Sequence, residues 1–239
     1  ITLNTIVAEA FCEAADILEK SDDFDMECHD LIKKYMTEHH RVIFNGDGYS
    51  EEWREEAARR GLTNICHVPE ALMKFNSPQS RNVLIGEKIF NENELNCRIE
   101  VELEKYTKKV QIESRIIGDL AINHIVPTAV TYQNRLLENL RGLRETFTPE
   151  EYEILGADRK ELVKEIQLHI LAIKRLVNEM TEARKVANHL GSQVEKAFSY
   201  EENVSPYLAK IREHIDELEM EIDDEIWPLP KYRELLFTK

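Results

Sequence analysis

Apolar residues recur every three to four positions along most of the chain, which is the spacing of amphipathic α-helices. One such segment extends from about residue 4 to residue 20, and another from about 25 to 39. Ser50 is placed to cap a third helix, which Gly61 would end. Residues 63–90 have a short, mixed pattern that fits brief helices or a strand. The first part of the chain is therefore predicted to consist of short helices.

The pattern becomes regular from Asn93 onward. Its apolar positions predict one helix through residue 145, on the order of 80 Å long at 1.5 Å per residue. Pro127 lies inside this helix and is expected to kink it, because proline lacks a backbone N–H and crowds the preceding turn. Thr148 and Glu151 then form the capping box that begins a short helix.

Two further long helices complete the pattern. One is predicted from Asp158 to about Phe198, and the other begins at Ser205 and is stopped by Pro228 and Pro230. Three long antiparallel helices would bury their apolar stripes together, although the same stripes also fit the helices of a partner subunit. The predicted fold class is mainly α, with a bundle or coiled-coil-like arm preceded by shorter helices.

Composition and charge limit the expected cellular location and the expected classes of binding partner. Charged residues make up 32% of the chain, and its formal net charge of −15 is spread along the sequence, which disfavours nucleic acids and anionic membranes as partners. The sequence has no apolar run long enough to span a membrane or to serve as a signal peptide. Its 4 cysteines include no Cys-x-x-Cys pair. Reduced thiols and a cytoplasmic location are expected.

The groupings that resemble chemical sites are weak. Residues 46–48 read Gly-Asp-Gly but lack the third glycine and the lysine of phosphate-binding loops, so they fit a turn with positive φ. Adjacent ligands on a helix point roughly 100° apart and do not chelate a metal ion. This argument applies to Cys28-His29, His39-His40 and Cys66-His67. No catalytic, cofactor-binding or metal-binding residue is assigned.

Four strings carry a family resemblance. They are NTIVAEAF at 4–11, FNGDGYSEEWREEAARRGLTN at 44–64, HIVPTAVTYQNRL at 124–136 and WPLPKYRELLF at 227–237. Together they resemble type III glutamine synthetase over essentially the whole chain. The terminal string, with its tryptophan and two prolines, is far more specific than a helical repeat.

The resemblance implies an enzyme that joins ammonia to glutamate through a γ-glutamyl phosphate, using ATP and Mg or Mn. In that family the residues that hold the metals, ATP and substrate lie upstream of the NTIVAE-like string. The chain opens with Ile1 and is expected to be part of a longer protein, inactive by itself. Residues 1–92 are then the end of the catalytic domain with connecting helices and loops, and residues 93–239 are a C-terminal helical bundle domain.

The resemblance also implies self-association, since the family forms a dodecamer of two hexameric rings. The helical region is expected to serve assembly or regulation, and no nucleic acid or membrane partner is expected. The candidate assembly and docking residues are Trp227, Pro228, Leu229, Pro230 and Tyr232, for which packing back onto the bundle is the alternative. A stand-alone helical protein-interaction module is the competing functional class.

Overall fold

The computed structural model describes residues 1–231 and 234, and this part of the chain is helical with no strand. The predicted mainly α fold class is confirmed. The chain divides into two compact units, Ile1–Leu103 (unit 1) and Glu104–Lys239 (unit 2). The division lies inside a long helix, whereas the sequence placed a domain boundary between residues 92 and 93.

Unit 1 is built from short helices, several of which begin at a side-chain cap. Asp23, Ser50 and Ser77 each accept a hydrogen bond from a backbone N–H in the first turn of the helix that follows. Residues 83–85 are helical, which excludes the strand alternative. The helices are α1 (Thr2–Leu18), α2 (Phe24–Glu38), α3 (Glu51–Arg59), α4 (Val68–Lys74), α5 (Pro78–Gly86) and the first part of α6 (Glu92–Leu120).

The buried interior of unit 1 is small, and one of its helices has an exposed apolar side. The buried apolar side chains include Leu31, Leu84 and Leu95. In contrast, the first part of the apolar stripe of α1 faces solvent, and Phe11 is 71% exposed. Apolar area of this kind is stabilising only when it is removed from water. The face of α1 therefore has the character of a contact surface.

Unit 2 contains the second part of α6 and the helices that follow it. A π-helical turn at Ala121–Ile125 joins α6 to α7, so that helical backbone is continuous from residue 92 to residue 146. This wider turn directly precedes Pro127, whose missing N–H and bulky ring disturb the regular pattern. The remaining helices are α7 (Val126–Thr146), α8 (Pro149–Leu155), α9 (Ala157–His189), α10 (Gln193–Asn203) and α11 (Ser205–Glu221).

Two predicted helix ends in unit 2 were wrong. The helix expected to reach Phe198 ends at His189, and α10 begins at Gln193 after a break around Gly191. Glycine weakens a helix, because it loses more backbone freedom on ordering than other residues do. The last helix ends at Glu221, well before Pro228, because the next residue is already extended.

The core of unit 2 lies where α9 packs against α7, α10 and α11. Gln133 in α7 donates a hydrogen bond to the carbonyl of Val163 at 2.9 Å, whereas Gln111 in α6 contacts Asn188 at 3.2 Å. Residue numbers thus rise on one helix as they fall on the other, so α9 runs antiparallel to the long helix, as predicted. The fully buried side chains of the unit 2 core include Ile125, Ile166, Ile170, Ile173, Met180, Ile211 and Leu218.

Candidate functional site

The signature string at residues 44–64 forms a tight turn and a capped helix. The carboxylate of Asp47 accepts the N–H of Tyr49 at 2.9 Å, and Ser50 Oγ accepts the N–H of Trp53 at 3.2 Å. The positive φ expected for residues 46–48 was wrong, since Gly46, Asp47 and Gly48 all have ordinary backbone conformations. The side chain of Asp47 closes the turn instead. A Cβ at Gly46 would lie 2.6 Å from the Phe44 ring, so a larger residue there would displace this ring.

A single arginine ties this turn to α3. Arg60 Nη1 donates to the carbonyls of Arg41 at 3.1 Å and Ile43 at 2.7 Å. Its Nε donates to Glu56, and together with Arg59 it holds the pKa of the Glu56 carboxyl below its ordinary value. The hydrogen-bonding groups of Arg60 and Glu56 are therefore occupied by each other and by the backbone. The segment thus has a structural role.

The groupings of metal-like residues in unit 1 do not converge. His29, His39, His40, Cys12 and Cys66 have exposed side chains, and the cysteines are free thiols. Among the described residues, no group of three or more His, Cys, Asp or Glu side chains is placed to hold a metal ion.

The structure brings together two histidines that the sequence did not pair. His169 in α9 and His214 in α11 approach with 3.0 Å between their Nδ1 atoms, so one ring donates its N–H to the other. Burial, followed by the charge of His169, lowers the pKa of His214 from its ordinary value of 6.5. Each histidine lies next to a buried isoleucine of its helix stripe. This position beside the apolar stripe was the sequence signal that could have indicated that the two histidines are partly buried.

A glutamate and a tryptophan in unit 2 keep buried polar atoms without partners. Glu221 Oε2 and Trp227 Nε1 are shielded from solvent and make no hydrogen bond. Burial raises the pKa of the Glu221 carboxyl above its ordinary value of 4.5, while the nearby His169 lowers it. The end of α11 therefore combines a hydrogen-bonded histidine pair with a poorly solvated carboxyl.

Acidification is expected to destabilise unit 2 through the histidine pair. Because the folded pKa of His214 lies below 6.5, the unfolded chain binds more protons, and stability falls as the pH drops through that value. Glu221 acts in the opposite sense: its raised pKa means that its carboxylate costs stability at neutral pH, and that this cost disappears on protonation. The two effects therefore oppose each other as the pH falls, and a substitution at His214 removes only the first of them.

The measurement is the thermal midpoint of the His214→Gln variant between about pH 7.5 and pH 5.5. We expect the variant to lose less stability over this range than the unchanged chain. His189→Gln is the control, since His189 is exposed and contacts only a carbonyl of its own helix among the described residues. Equal pH slopes for the unchanged chain and His214→Gln would contradict the expectation.

The five predicted docking residues behave differently from one another. Trp227 is 8% exposed and belongs to the core of unit 2, and Leu229 packs partly buried against that core. Pro228 and Pro230 are exposed. Tyr232 lies outside the described residues. Packing back onto the bundle thus accounts for Trp227 and Leu229, and a docking role for the set stays a prediction.

Leu229 and Pro230 also line a groove on unit 2. The groove has a volume of about 590 Å³, and most of its other lining residues come from α6 and α11. The helical repeat could not reveal it, because it depends on how α6 and α11 are placed in the fold.

None of the helices within residues 1–231 is both long and apolar enough to cross a membrane. Residues 27–144 match the family model described as glutamine synthetase C-terminal domain. The chain is 67% identical over 93% of its length to a glutamine synthetase from Bacteroides fragilis, of which it covers 31%. It is 31% identical over its full length to the type-3 glutamine synthetase of Dictyostelium discoideum, of which it covers 33%.

A third relative, a glutamine synthetase from Butyrivibrio fibrisolvens, is 27% identical over 91% of this chain, which covers 30% of that relative. The chain thus spans about a third of the length of the curated relatives that it matches. Taken together, the family model and the relatives show that the chain corresponds to the C-terminal portion of a type III glutamine synthetase.

Proposed function

We propose that the chain is the helical C-terminal region of a cytoplasmic enzyme that makes glutamine from glutamate, ammonia and ATP. The observation that supports this function is the match to relatives named glutamine synthetase over nearly the whole chain. In the proposal, the region supports assembly or regulation of the parent enzyme and does not carry the reaction itself.

ATP and divalent metal ions, Mg or Mn, are the proposed cofactors of the parent enzyme. Such ions neutralise phosphate charge and are held by clustered carboxylate and imidazole ligands. The described residues contain no cluster of that kind, so they do not fit a metal centre. We assign no catalytic step to residues 1–239, and we place the nucleotide and metal sites elsewhere in the parent enzyme.

Residues 1–92 are proposed to complete the catalytic domain of the parent. The support is the apolar face of α1, where Ile6, Val7 and Phe11 are exposed side by side at helical spacing. An exposed contiguous face of this type marks a contact with other protein surface. The remaining part of a glutamine synthetase is the occupant that we propose.

Residues 93–239 are proposed to contribute to self-association, in the finer form of a dodecamer of two hexameric rings. The support comes from α9, whose outer side carries the exposed apolar residues Leu168, Leu171 and Val186. Leu168 and Val186 are five helical turns apart and so face the same direction. A second subunit that covers this side would bury apolar area that now contacts water.

The test uses the full-length parent enzyme. Glutamine formation from glutamate, ammonia and ATP is measured together with the mass of the assembly by light scattering. We expect activity in the unchanged enzyme, and we expect Leu168→Glu with Val186→Glu to reduce the mass of the assembly. Lys174→Glu, an exposed polar position on the same helix, is the control.

The two parts of the proposal fail separately. A full-length enzyme without glutamine formation would refute the proposed activity and would favour a helical interaction module. An assembly of unchanged mass in the double variant, and in an enzyme lacking residues 104–239, would refute the assembly role alone.

A further inference from the structure

The outer side of α9 carries a stripe of residues opposite the core of unit 2. At about 100° per residue, Leu168, Arg175 and Val186 point within about 20° of one another. The buried Ile166 and Ile173 point to the other side of the same helix. Leu168 is 56% exposed and Val186 is 66% exposed. The stripe therefore faces water and has an apolar side chain at each end.

The stripe has the spacing of a coiled-coil seam. Its positions are 168, 172, 175, 179, 182 and 186, which are separated alternately by four and by three residues. A mean repeat of about 3.5 residues keeps one side of a helix against a second helix that crosses it at a small angle. One helix could thus cover the stripe along its whole length.

The stripe is complementary to a reversed copy of itself. When two such helices are antiparallel and centred midway between residues 168 and 186, Leu168 lies opposite the partner's Val186. In the same register, Arg175 lies opposite the partner's Glu179, and Ala172 lies opposite the partner's Glu182. A single arrangement therefore places apolar against apolar side chains at both ends and opposite charges near the centre.

The charges of α9 permit two copies of this acidic chain to approach. The chain has 46 acidic and 31 basic residues, whereas α9 has 5 acidic and 7 basic residues. Glu213 and Glu217 of α11 and Arg175 of α9 all act electrostatically on His214, so the edge of the face toward α11 carries both signs. Like-charge repulsion, which opposes self-association over most of an acidic surface, is thus reduced here.

The other charged side chains beside the stripe are largely paired within α9. Lys164 contacts Glu161 at 2.8 Å, and Lys185 contacts Glu182 at 2.7 Å. The small side chain of Ala172 leaves space for the second of these pairs in the reversed arrangement. Lys174 lies at the edge of the stripe and adds one positive charge. No strong field of one sign therefore opposes a second α9.

Arg175 and Glu179 can form ion pairs with a partner chain. Arg175 Nη1 donates to Glu179 Oε1 at 3.3 Å, and both side chains keep much of their surface in water. An exposed pair within a helix contributes little, and it is weaker when the base precedes the acid along the chain. The guanidinium has five N–H donors, so it can bind a second carboxylate as well.

We propose that α9 packs against α9 of a second copy of the chain, antiparallel and related by a two-fold axis at the level of residue 177. Each contact in such an interface occurs twice. The two Leu168–Val186 contacts bury the ends of the stripe, and the two Arg175–Glu179 ion pairs between the chains fix the register. The inference rests on the proposed self-association, and it adds the helix, its direction and its register.

The first experiment reverses charges in the full-length parent enzyme. Arg175→Glu and Glu179→Arg each place like charges across the two-fold axis, so either variant alone should associate roughly tenfold more weakly through this contact. Coexpression of the two variants restores opposite charges between the chains, and we expect light scattering to show recovery of the assembly mass. Each variant has like charges at both positions of its own helix, so pairing within one chain cannot explain the recovery.

The second experiment tests the register without changing charge. Coexpressed Leu168→Cys and Val186→Cys subunits should form a disulfide-linked dimer on mild oxidation, because the antiparallel arrangement brings these positions together. Leu168→Cys alone should not do so, since its two copies would be about 27 Å apart along the helices. The unchanged enzyme gives the background from the native free cysteines. A linked dimer from Leu168→Cys alone would show a parallel arrangement and overturn the proposal.

The remaining outcomes separate this inference from the proposed function. An assembly whose mass is unchanged in both charge variants would show that the enzyme associates through other surfaces, which refutes the α9 pairing alone. Loss of mass in each variant without recovery on coexpression would show that α9 contacts a different surface of its partner. An unchanged enzyme that is monomeric would refute the proposed self-association, and the α9 pairing with it.

Discussion

Tyr200→Ala is expected to lower the free energy of unfolding of unit 2 by about 3–5 kcal/mol, the range for removing a large buried aromatic side chain. Tyr200 is fully buried in α10 and belongs to the core. Its hydroxyl donates to Asn188 Oδ1 at the end of α9 at 2.8 Å. The substitution would therefore leave a cavity and remove a hydrogen bond across the α9–α10 break. Urea denaturation followed by circular dichroism measures the loss.

Tyr200→Phe separates the ring from the hydroxyl. It keeps the buried ring and loses one hydrogen bond, for which we expect a cost of about 1 kcal/mol. Asn188 Oδ1 still accepts from Gln111 at 3.2 Å, so the amide oxygen is not left unsatisfied. Burial also raises the pKa of the Tyr200 hydroxyl, in keeping with its enclosed position. Equal losses in both variants would contradict the central role of the ring.

The contact between α9 and α10 also shows where helical periodicity fails as a guide to the fold. Leu190 and Val194 continue the apolar spacing of α9, so the stripe passes through the break without interruption. The backbone signal was Gly191 followed by Ser192, a helix stop next to a residue suited to begin a helix. Hydrophobic spacing reports which side is buried, whereas chain breaks depend on backbone chemistry.

Elsewhere the sequence was sufficient. The capping box at Thr148 and Glu151 is present with both reciprocal hydrogen bonds, because its geometry is entirely local. The helix of residues 92–146 was recognised through Pro127, since the apolar pattern resumes beyond the proline. The local capping signal and the apolar pattern therefore identified these two elements correctly.

The sequence could not predict which surface packs against each apolar helix stripe. The helix α1 was recognised, but its apolar face is exposed, because periodicity does not identify the partner of a face. The approach of His169 to His214 likewise depends on how two distant helices are aligned. Only tertiary packing brings such residues into contact.

The signature string at residues 44–64 shows that contacts over a shorter stretch of sequence can be equally hard to predict. Its letters were sufficient to recognise the family, and its Ser50 cap was predictable. The bonds from Arg60 to two backbone carbonyls were not, because they join the far end of α3 to residues 17 and 19 positions earlier. The family string at residues 44–64 thus maintains a backbone turn.

Arg60→Ala is expected to reduce the stability of unit 1 by about 2 kcal/mol, because hydrogen bonds from a charged group contribute more than neutral ones. The substitution leaves the carbonyls of Arg41 and Ile43 without their donor, and it removes one of the arginines paired with Glu56. Thermal unfolding measures the loss. Limited trypsin digestion at Arg54 should also become faster, because the turn is no longer tied to α3.

Two matched variants test whether this effect depends on the geometry of Arg60. Arg60→Lys keeps the charge but cannot present the same planar set of donors, so it should recover only part of the stability. Arg54→Ala removes an exposed arginine that pairs with Glu51 at 3.1 Å, for which the expected cost is below about 1 kcal/mol. If Arg54→Ala and Arg60→Ala were equally destabilising, general helix electrostatics would explain both. Full recovery in Arg60→Lys would instead show that charge alone holds the turn.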